Sequence, residues 1–228
     1  MCGRFTARYT WAEVRAYYNL IQSEPPSNMR PRYNVCPTTK VDAVVRDDAG
    51  RSLKRMRWGL IPGWWSKPLK EMRLATFNAR AETAASKPFF RSSFKSRRCL
   101  IPVSGYYEWQ TTPAGKQPWY FTRADGGPII TTAGLWDEWT DKASGETITS
   151  CSMVITEPNA MVAEVHDRMP VMLEPDQWEQ WEQGSPDEAE ELMRPAPDGL
   201  LQRWPVSTRV NSSRADDDDY NLINALPG

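Results

Sequence analysis

The chain has one histidine in 228 residues, and its four cysteines, Cys2, Cys36, Cys99 and Cys151, stand far apart with no paired spacing. A lone histidine cannot build a multi-histidine metal centre, which argues against zinc and non-haem iron hydrolases. The cysteine spacing suggests neither a zinc site nor a disulfide framework, so reduced thiols are expected and no metal or cofactor is implied. No stretch approaches the roughly 20 apolar residues of a membrane span, and no apolar run follows Arg4 and Arg8. No membrane partner is expected, and the chain reads as cytosolic. Linkers, internal repeats and low-complexity segments are also missing. The expectation is one domain over residues 1–228, with a C-terminal tail from roughly 210.

What is present is unevenly distributed. The net charge is −1, but residues 1–110 carry 20 Lys and Arg against 8 Asp and Glu, a net of +12, and the remainder 8 against 21, a net of −13. Two readings fit: a local face for a polyanion, since phosphates recruit Lys and Arg, or two halves that interleave and neutralise each other. The run Asp216 to Asp219 is expected to be a solvated end.

Thr10-Trp11-Ala12-Glu13 has the form of a capping box, predicting a helix over roughly 11–21 with Trp11, Val14, Tyr18 and Ile21 on its core face. Val41 to Val45 and Met56 to Leu60 flank the turn Asp47-Asp48-Ala49-Gly50 as a hairpin. Further strand candidates are Trp119 to Phe121, Ile129 to Thr132, Gly134 to Trp136, Ser152 to Thr156, Met169 to Leu173 and Gln202 to Ser207. Helix starts fall near Pro175 to Trp181 and at Ser185-Pro186-Asp187-Glu188. With no regular alternation of strand and helix, the expected fold is an α+β domain of twisted, mainly antiparallel, barrel-like sheets with peripheral helices.

Chemistry centres on the second residue. Removal of Met1 would give Cys2 both a thiol, of pKa about 8.5, and an α-amine of pKa roughly 7.7 to 8.0. Such a 1,2-aminothiol can form an imine with an aldehyde and close it to a thiazolidine. The plain alternative is a small early cysteine. His166, in Glu164-Val165-His166-Asp167-Arg168, is either a proton carrier near neutrality or a structural hydrogen-bonding residue. Glu108, set among aromatics in Gly105-Tyr106-Tyr107-Glu108-Trp109, becomes a usable proton shuttle if buried and an ordinary strand carboxylate if exposed. Asn78 could orient a carbonyl or sugar oxygen and Arg80 could hold a phosphate, or either could cap a helix. Trp64 and Trp65 sit at a turn near Lys54, Arg55, Arg57, Lys67, Lys70 and Arg73. Aromatics interleaved with cations suit single-stranded nucleic acid, although core packing is the commoner fate of a tryptophan.

These segments together resemble the SRAP family, the SOS-response-associated peptidases. The matching pieces are Met1 to Phe5, Arg32-Tyr33-Asn34-Val35 with Pro37, Trp58 to Trp65, Asn78 to Thr83, Gly105 to Trp109 and His166 to Pro170, in the family's order. Cys36 stands where the family pattern usually has alanine, and the acidic end is peculiar to this chain.

The resemblance implies a sensor of abasic sites in single-stranded DNA, including single-strand/double-strand junctions, that joins itself to the lesion through Cys2 after Met1 removal. It implies Cys2, Asn78, Glu108 and His166 as catalytic residues. Arg4, Arg80 and Arg168 are implied as phosphate ligands, Asn34, Pro37 and Thr83 as further DNA contacts, and Trp64 and Trp65 as a wedge against the strand. It further implies a lyase side activity, self-processing at Met1 rather than general proteolysis, a monomer, and association with the nucleoid on damaged DNA. Two rivals stay open: an N-terminal-nucleophile amidohydrolase or thiol peptidase, and a non-covalent single-strand binder.

Overall fold

The computed structural model describes residues 2–26 and 28–227. Met1, whose removal the sequence reading requires, lies outside the described residues. The first sheet comprises β1 (Arg4–Ala7), β2 (Arg32–Val35), β7 (Gly105–Thr112), β8 (Gly115–Arg123) and β12 (Leu201–Pro205), in the order β12-β8-β7-β1-β2. The second comprises β3 (Lys40–Asp47), β4 (Gly50–Trp58), β6 (Arg98–Val103), β9 (Ile130–Thr140), β10 (Thr147–Thr156) and β11 (Met169–Pro170), with β5 (Asn78–Arg80) added along β10. Within it β3, β4, β10, β9 and β6 pair in a ring, closed where Val44 meets Leu100. Pairing is antiparallel except where β10 runs parallel to β4 and β5. This is the mainly antiparallel, barrel-like α+β fold that the sequence leads one to expect.

Alternation along the strands sorts side chains into three apolar layers. Between the sheets lie Cys2, Phe5, Val35, Trp58, Tyr106, Phe121 and Met153. On the far side of the second sheet, Val44, Leu100 and Val154 pack under α1 (Trp11–Tyr18), α3 (Arg91–Ser96), α5 (Trp178–Gln183) and α6 (Pro186–Glu191). Buried Arg98 ties α3 and α5 down: its guanidinium donates to the carbonyls of Phe94, Trp181 and Gly184, at the electronegative ends of those helices. On the outer face of the first sheet, Tyr107 and Tyr120 pack against Val206, Val210 and Leu222. Gly105 leaves room for the Tyr120 ring of the paired strand β8 to lie across it, because a Cβ there would meet the Tyr120 hydroxyl at 2.3 Å.

Local signals are met where they are self-contained. Thr10 and Glu13 form the capping box at α1, and Ser185 and Glu188 do the same at α6. The hairpin is present, with a loop of Asp48 and Ala49. Other expectations are corrected. α1 stops at Tyr18 because Asn19 turns left-handed at φ 52°, after which Leu20 bridges Arg51 and Ile21 is 54% exposed. The expected strands Ile129 to Thr132 and Gly134 to Trp136 merge into one continuous strand, β9, which begins at Ile130, since Gly134 sits opposite Cys99 in a space with no room for a Cβ.

The acidic end is solvated only in part: Asp216 and Asp218 are exposed, whereas the other two acids are docked. Asp217 pairs with Arg30 and Arg32, Asp219 with Arg209, and the Tyr33 amide donates to the Asp217 carbonyl. The two oppositely charged halves therefore partly interleave, a pattern repeated where Arg46 meets Glu179, Arg51 meets Glu182 and Arg97 meets Asp137. Lys67, Lys70, Arg73 and Arg80 nonetheless stay exposed.

Candidate active site

Four segments remote in sequence converge where the first sheet meets β5. β1 pairs with β7 so that Arg4 faces Tyr107 and Phe5 faces Tyr106, which sets Cys2, just ahead of β1, beside the next inward residue of β7. That residue is Glu108. Asn78 opens β5 opposite Met153, and the segment before it is pinned by the Trp58 indole donating to the Phe77 carbonyl at 2.8 Å. His166 follows the short helix α4 (Ala160–Ala163), capped by Asn159, and its amide closes onto the Val162 carbonyl at 2.9 Å.

The Asn78 amide donates to the Cys2 carbonyl at 3.1 Å. The Cys2 thiol and the Glu108 carboxyl share a hydrogen bond. His166 Nε2 lies 3.6 Å from Glu108 Oε2. Cys2 is 2% exposed and Glu108 1%, so both are desolvated. Desolvation raises the Glu108 pKa to about 7. It also pushes the thiol well above its ordinary range, with the neighbouring Glu108 charge adding to the effect.

Burial pulls the His166 pKa down, so the ring is neutral at neutral pH. The Arg168 amide donates to Nδ1 at 3.1 Å, which leaves the ring proton on Nε2, facing Glu108. Asp167 Oδ1 is equally close to Nδ1, but a nitrogen with one lone pair cannot accept the amide and also donate to a carboxylate. The amide, whose hydrogen is fixed by the backbone, decides the tautomer. The site thus holds a protonated thiol, a carboxyl poised between its two forms and an N–H donor, a set suited to moving single protons.

One further group escaped the sequence reading. Tyr106 projects to the same face of β7 as Glu108, and its hydroxyl is buried with no hydrogen-bond partner among the described residues. Its pKa is raised first by burial and then by the charges of Cys2 and Glu108. The signal was available, because residues two apart on a strand share a face. Asn78 Oδ1 is likewise buried without a partner among the described residues. A cavity of about 450 Å³ adjoins this cluster, lined by Gly3, Arg4, Pro37, Phe77, Trp109 and Lys116 among others.

The residues expected to meet DNA are dispersed around it. Pro37 lines the cavity. Arg4 and Asn34 are hydrogen-bonded to each other at 3.0 Å and to the C-terminal segment: Arg4 donates to the Val210 and Asn211 carbonyls, Asn34 to that of Ser212. Arg80 is exposed at the end of β5 and start of α2 (Ala81–Ala84), whereas Arg168 pairs with Glu82 and the Thr83 hydroxyl is buried without a partner among the described residues. Trp64 and Trp65 pack on one another and on Phe89, with Trp64 53% exposed. Asn78 and Arg80 are strand residues, and neither side chain caps α2.

A family model, SOS response associated peptidase (SRAP), matches residues 1–213. The chain belongs to the SRAP family. Its relatives include the abasic site processing proteins YoaM of Bacillus subtilis, 32% identical over 94% of each chain, and YedK of Escherichia coli, 33% identical over 79% of each. The abasic site processing protein HMCES of Xenopus tropicalis is 31% identical over 81% of this chain and 64% of its own. Among solved structures, a Bacteroides thetaiotaomicron protein superposes with a TM-score of 0.90 at 27% identity, covering 99% of this chain and 100% of that one. The SRAP matches thus extend over every segment that builds the cluster. Among the described residues no group of metal-ligating side chains forms and no helix is long and apolar enough to cross a membrane.

Proposed function

We propose that this protein acts on abasic sites in single-stranded DNA and joins itself to them through Cys2. The observation that carries the reading is the buried cluster in which the Cys2 thiol meets Glu108, Glu108 faces the His166 Nε2–H, and Asn78 holds the Cys2 carbonyl. Names of relatives supply the lesion, and the open form of an abasic sugar supplies an aldehyde.

Once Met1 is removed, the Cys2 amine attacks C1′ to give a carbinolamine, which loses one water to form a Schiff base. The thiol then adds across the C=N bond, its sulfur to carbon and its proton to nitrogen, closing the thiazolidine. A protonated thiol fits the second step and not the first. Glu108, half-protonated near pH 7, donates to the departing hydroxyl and takes up the thiol proton, the double duty for which a pKa near the working pH is best. His166 supports it from the other side. Asn78 fixes Cys2, and its Oδ1 accepts from a sugar hydroxyl, filling a vacancy that costs about 1–3 kcal/mol when buried and unmet. A Schiff base at C1′ also acidifies the C2′ protons, so β-elimination of the 3′ phosphate is the expected side reaction.

Phosphates are held by Arg80, Arg168 and Arg4, with Asn34, Pro37 and Thr83 along the strand and the aromatic turn beyond. The test is a denaturing gel after incubation with an oligonucleotide bearing one abasic site: a shifted band supports the reading, and its absence from Met1-processed protein removes it. Replacing Trp64 and Trp65 together by alanine is expected to weaken single-strand affinity by about 1–3 kcal/mol while circular dichroism stays unchanged. Equal affinity by fluorescence anisotropy would remove the stacking role.

A further inference from the structure

We propose that Arg30 and Arg32 form a phosphodiester-binding site for the DNA strand, closed in the free protein by the chain's own Asp217. The inference rests on the DNA-binding reading above. Arg30 Nη2 lies 2.5 Å from one oxygen of Asp217, and Arg32 Nε lies 2.7 Å from the other. Two guanidiniums dividing the two oxygens of one anion is the arrangement that suits a phosphate equally well. The carboxylate is therefore an intramolecular stand-in that shows where such a group sits.

The surroundings favour an anion. A cavity of about 240 Å³ opens at this point, and Lys40 and Arg55 line it along with the two arginines. The one buried acid on its wall, Asp42, is answered by Arg55 at 3.6 Å and by the Tyr9 hydroxyl at 3.4 Å. Arg32 is preset by its own Nη1 donating to the Lys40 carbonyl at 2.9 Å.

Position links the site to the lesion. From Arg32 the chain runs along β2 and on to Pro37, which lines the cavity beside Gly3 and Arg4. The four extended residues of β2 cover roughly 13 Å, a reach of a few nucleotides.

The latch can open. Arg30 is 53% exposed, so its pair with Asp217 is weak and readily exchanged, while Arg32, 16% exposed, is the firmer of the two and is retained by its bond to the Lys40 carbonyl when the carboxylate leaves. Asp216 and Asp218 are exposed on either side, so the closed form also presents negative charge to an approaching strand. Backbone contacts hold the rest of the segment: the Tyr33 amide donates to the Asp217 carbonyl, and Leu222 is buried beyond. Only the side chain of Asp217 has to leave.

The test is titration of an undamaged single-stranded oligonucleotide by fluorescence anisotropy over a salt series. Asp217→Asn is expected to tighten binding roughly fivefold at low salt, because the carboxylate no longer competes for the two guanidiniums. It should also steepen the plot of log affinity against log salt by about 0.7, the increment for one more neutralised phosphate on a single strand. Adding Arg30→Ala and Arg32→Ala to that variant should return both values to those of the wild type. Asp217→Glu, which keeps the charge, should leave both unchanged and serves should the asparagine variant fail to fold; a gain with glutamate overturns the proposal. Wild-type binding with an unaltered Asp217→Asn curve overturns the site alone, with the segment a fixed strut. No binding by the wild type overturns both the site and the DNA reading.

Discussion

Replacing Cys2 with serine in the Met1-processed chain is expected to abolish any product that survives denaturation, while a Schiff base trappable by borohydride remains. Serine keeps the α-amine, so attack on the sugar aldehyde proceeds, but a hydroxyl in place of the thiol cannot close a thiazolidine. The size of the effect comes from the order of events. The buried thiol is held well above its ordinary pKa and is a poor first nucleophile, yet it is already hydrogen-bonded to the carboxyl that can take its proton. An amidohydrolase with the thiol as its only nucleophile would show the opposite pattern, keeping some hydroxyl-based turnover and trapping no imine. Borohydride trapping side by side with a heated denaturing gel separates the two; heat-stable product from the serine variant would refute the ring closure.

Glu108→Gln is expected to slow adduct formation by roughly 10²-fold near neutral pH, the lower end of what general acid–base catalysis contributes. The wild-type rate should bend near pH 7, and the variant's should not. The same change should make the protein more stable. A carboxyl raised from 4.5 to about 7 keeps its proton in the folded state where the unfolded chain has lost it. Folding stability therefore falls as pH climbs from about 4.5 to about 7, and the cost, on the order of 3 kcal/mol at about 1.4 kcal/mol per pKa unit, persists above that. Glutamine never ionises, so its gain in urea-unfolding free energy should be greatest at pH 8 and vanish below about pH 4.5. Wild-type kinetics together with unchanged stability would mean that Glu108 is neither desolvated nor shuttling protons.

How much of this was legible in the sequence depends on the range of the interaction. The caps at Thr10 and Ser185 and the β3–β4 hairpin depend on residues three or four apart, and each stands where the local pattern indicates. The end of α1 was not legible, because it depends on Leu20 bridging Arg51, thirty-one positions away. Nor was the continuity of β9 through Gly134, which breaks a strand pattern locally but fits under Cys99 in the folded sheet. The acidic end misled for the same reason: Asp217 finds Arg30 nearly the whole chain away. Among the candidate residues, Cys2, Asn78, Glu108 and His166 were linked only by resemblance, yet hydrogen bonds and close approaches now join them. Arg4 and Arg168, expected to meet phosphate, and Asn34, expected to contact DNA, are engaged with protein groups in the free protein. Tyr106 could have been found from its spacing to Glu108 alone.

The most direct measurement is the intact mass, followed by peptide mapping, of the product formed with an abasic oligonucleotide. The account predicts a mass equal to the protein without Met1 plus the oligonucleotide less one water, with the modification on the N-terminal peptide beginning at Cys2. A product retaining Met1, or one mapped to a lysine or an internal cysteine, would contradict it.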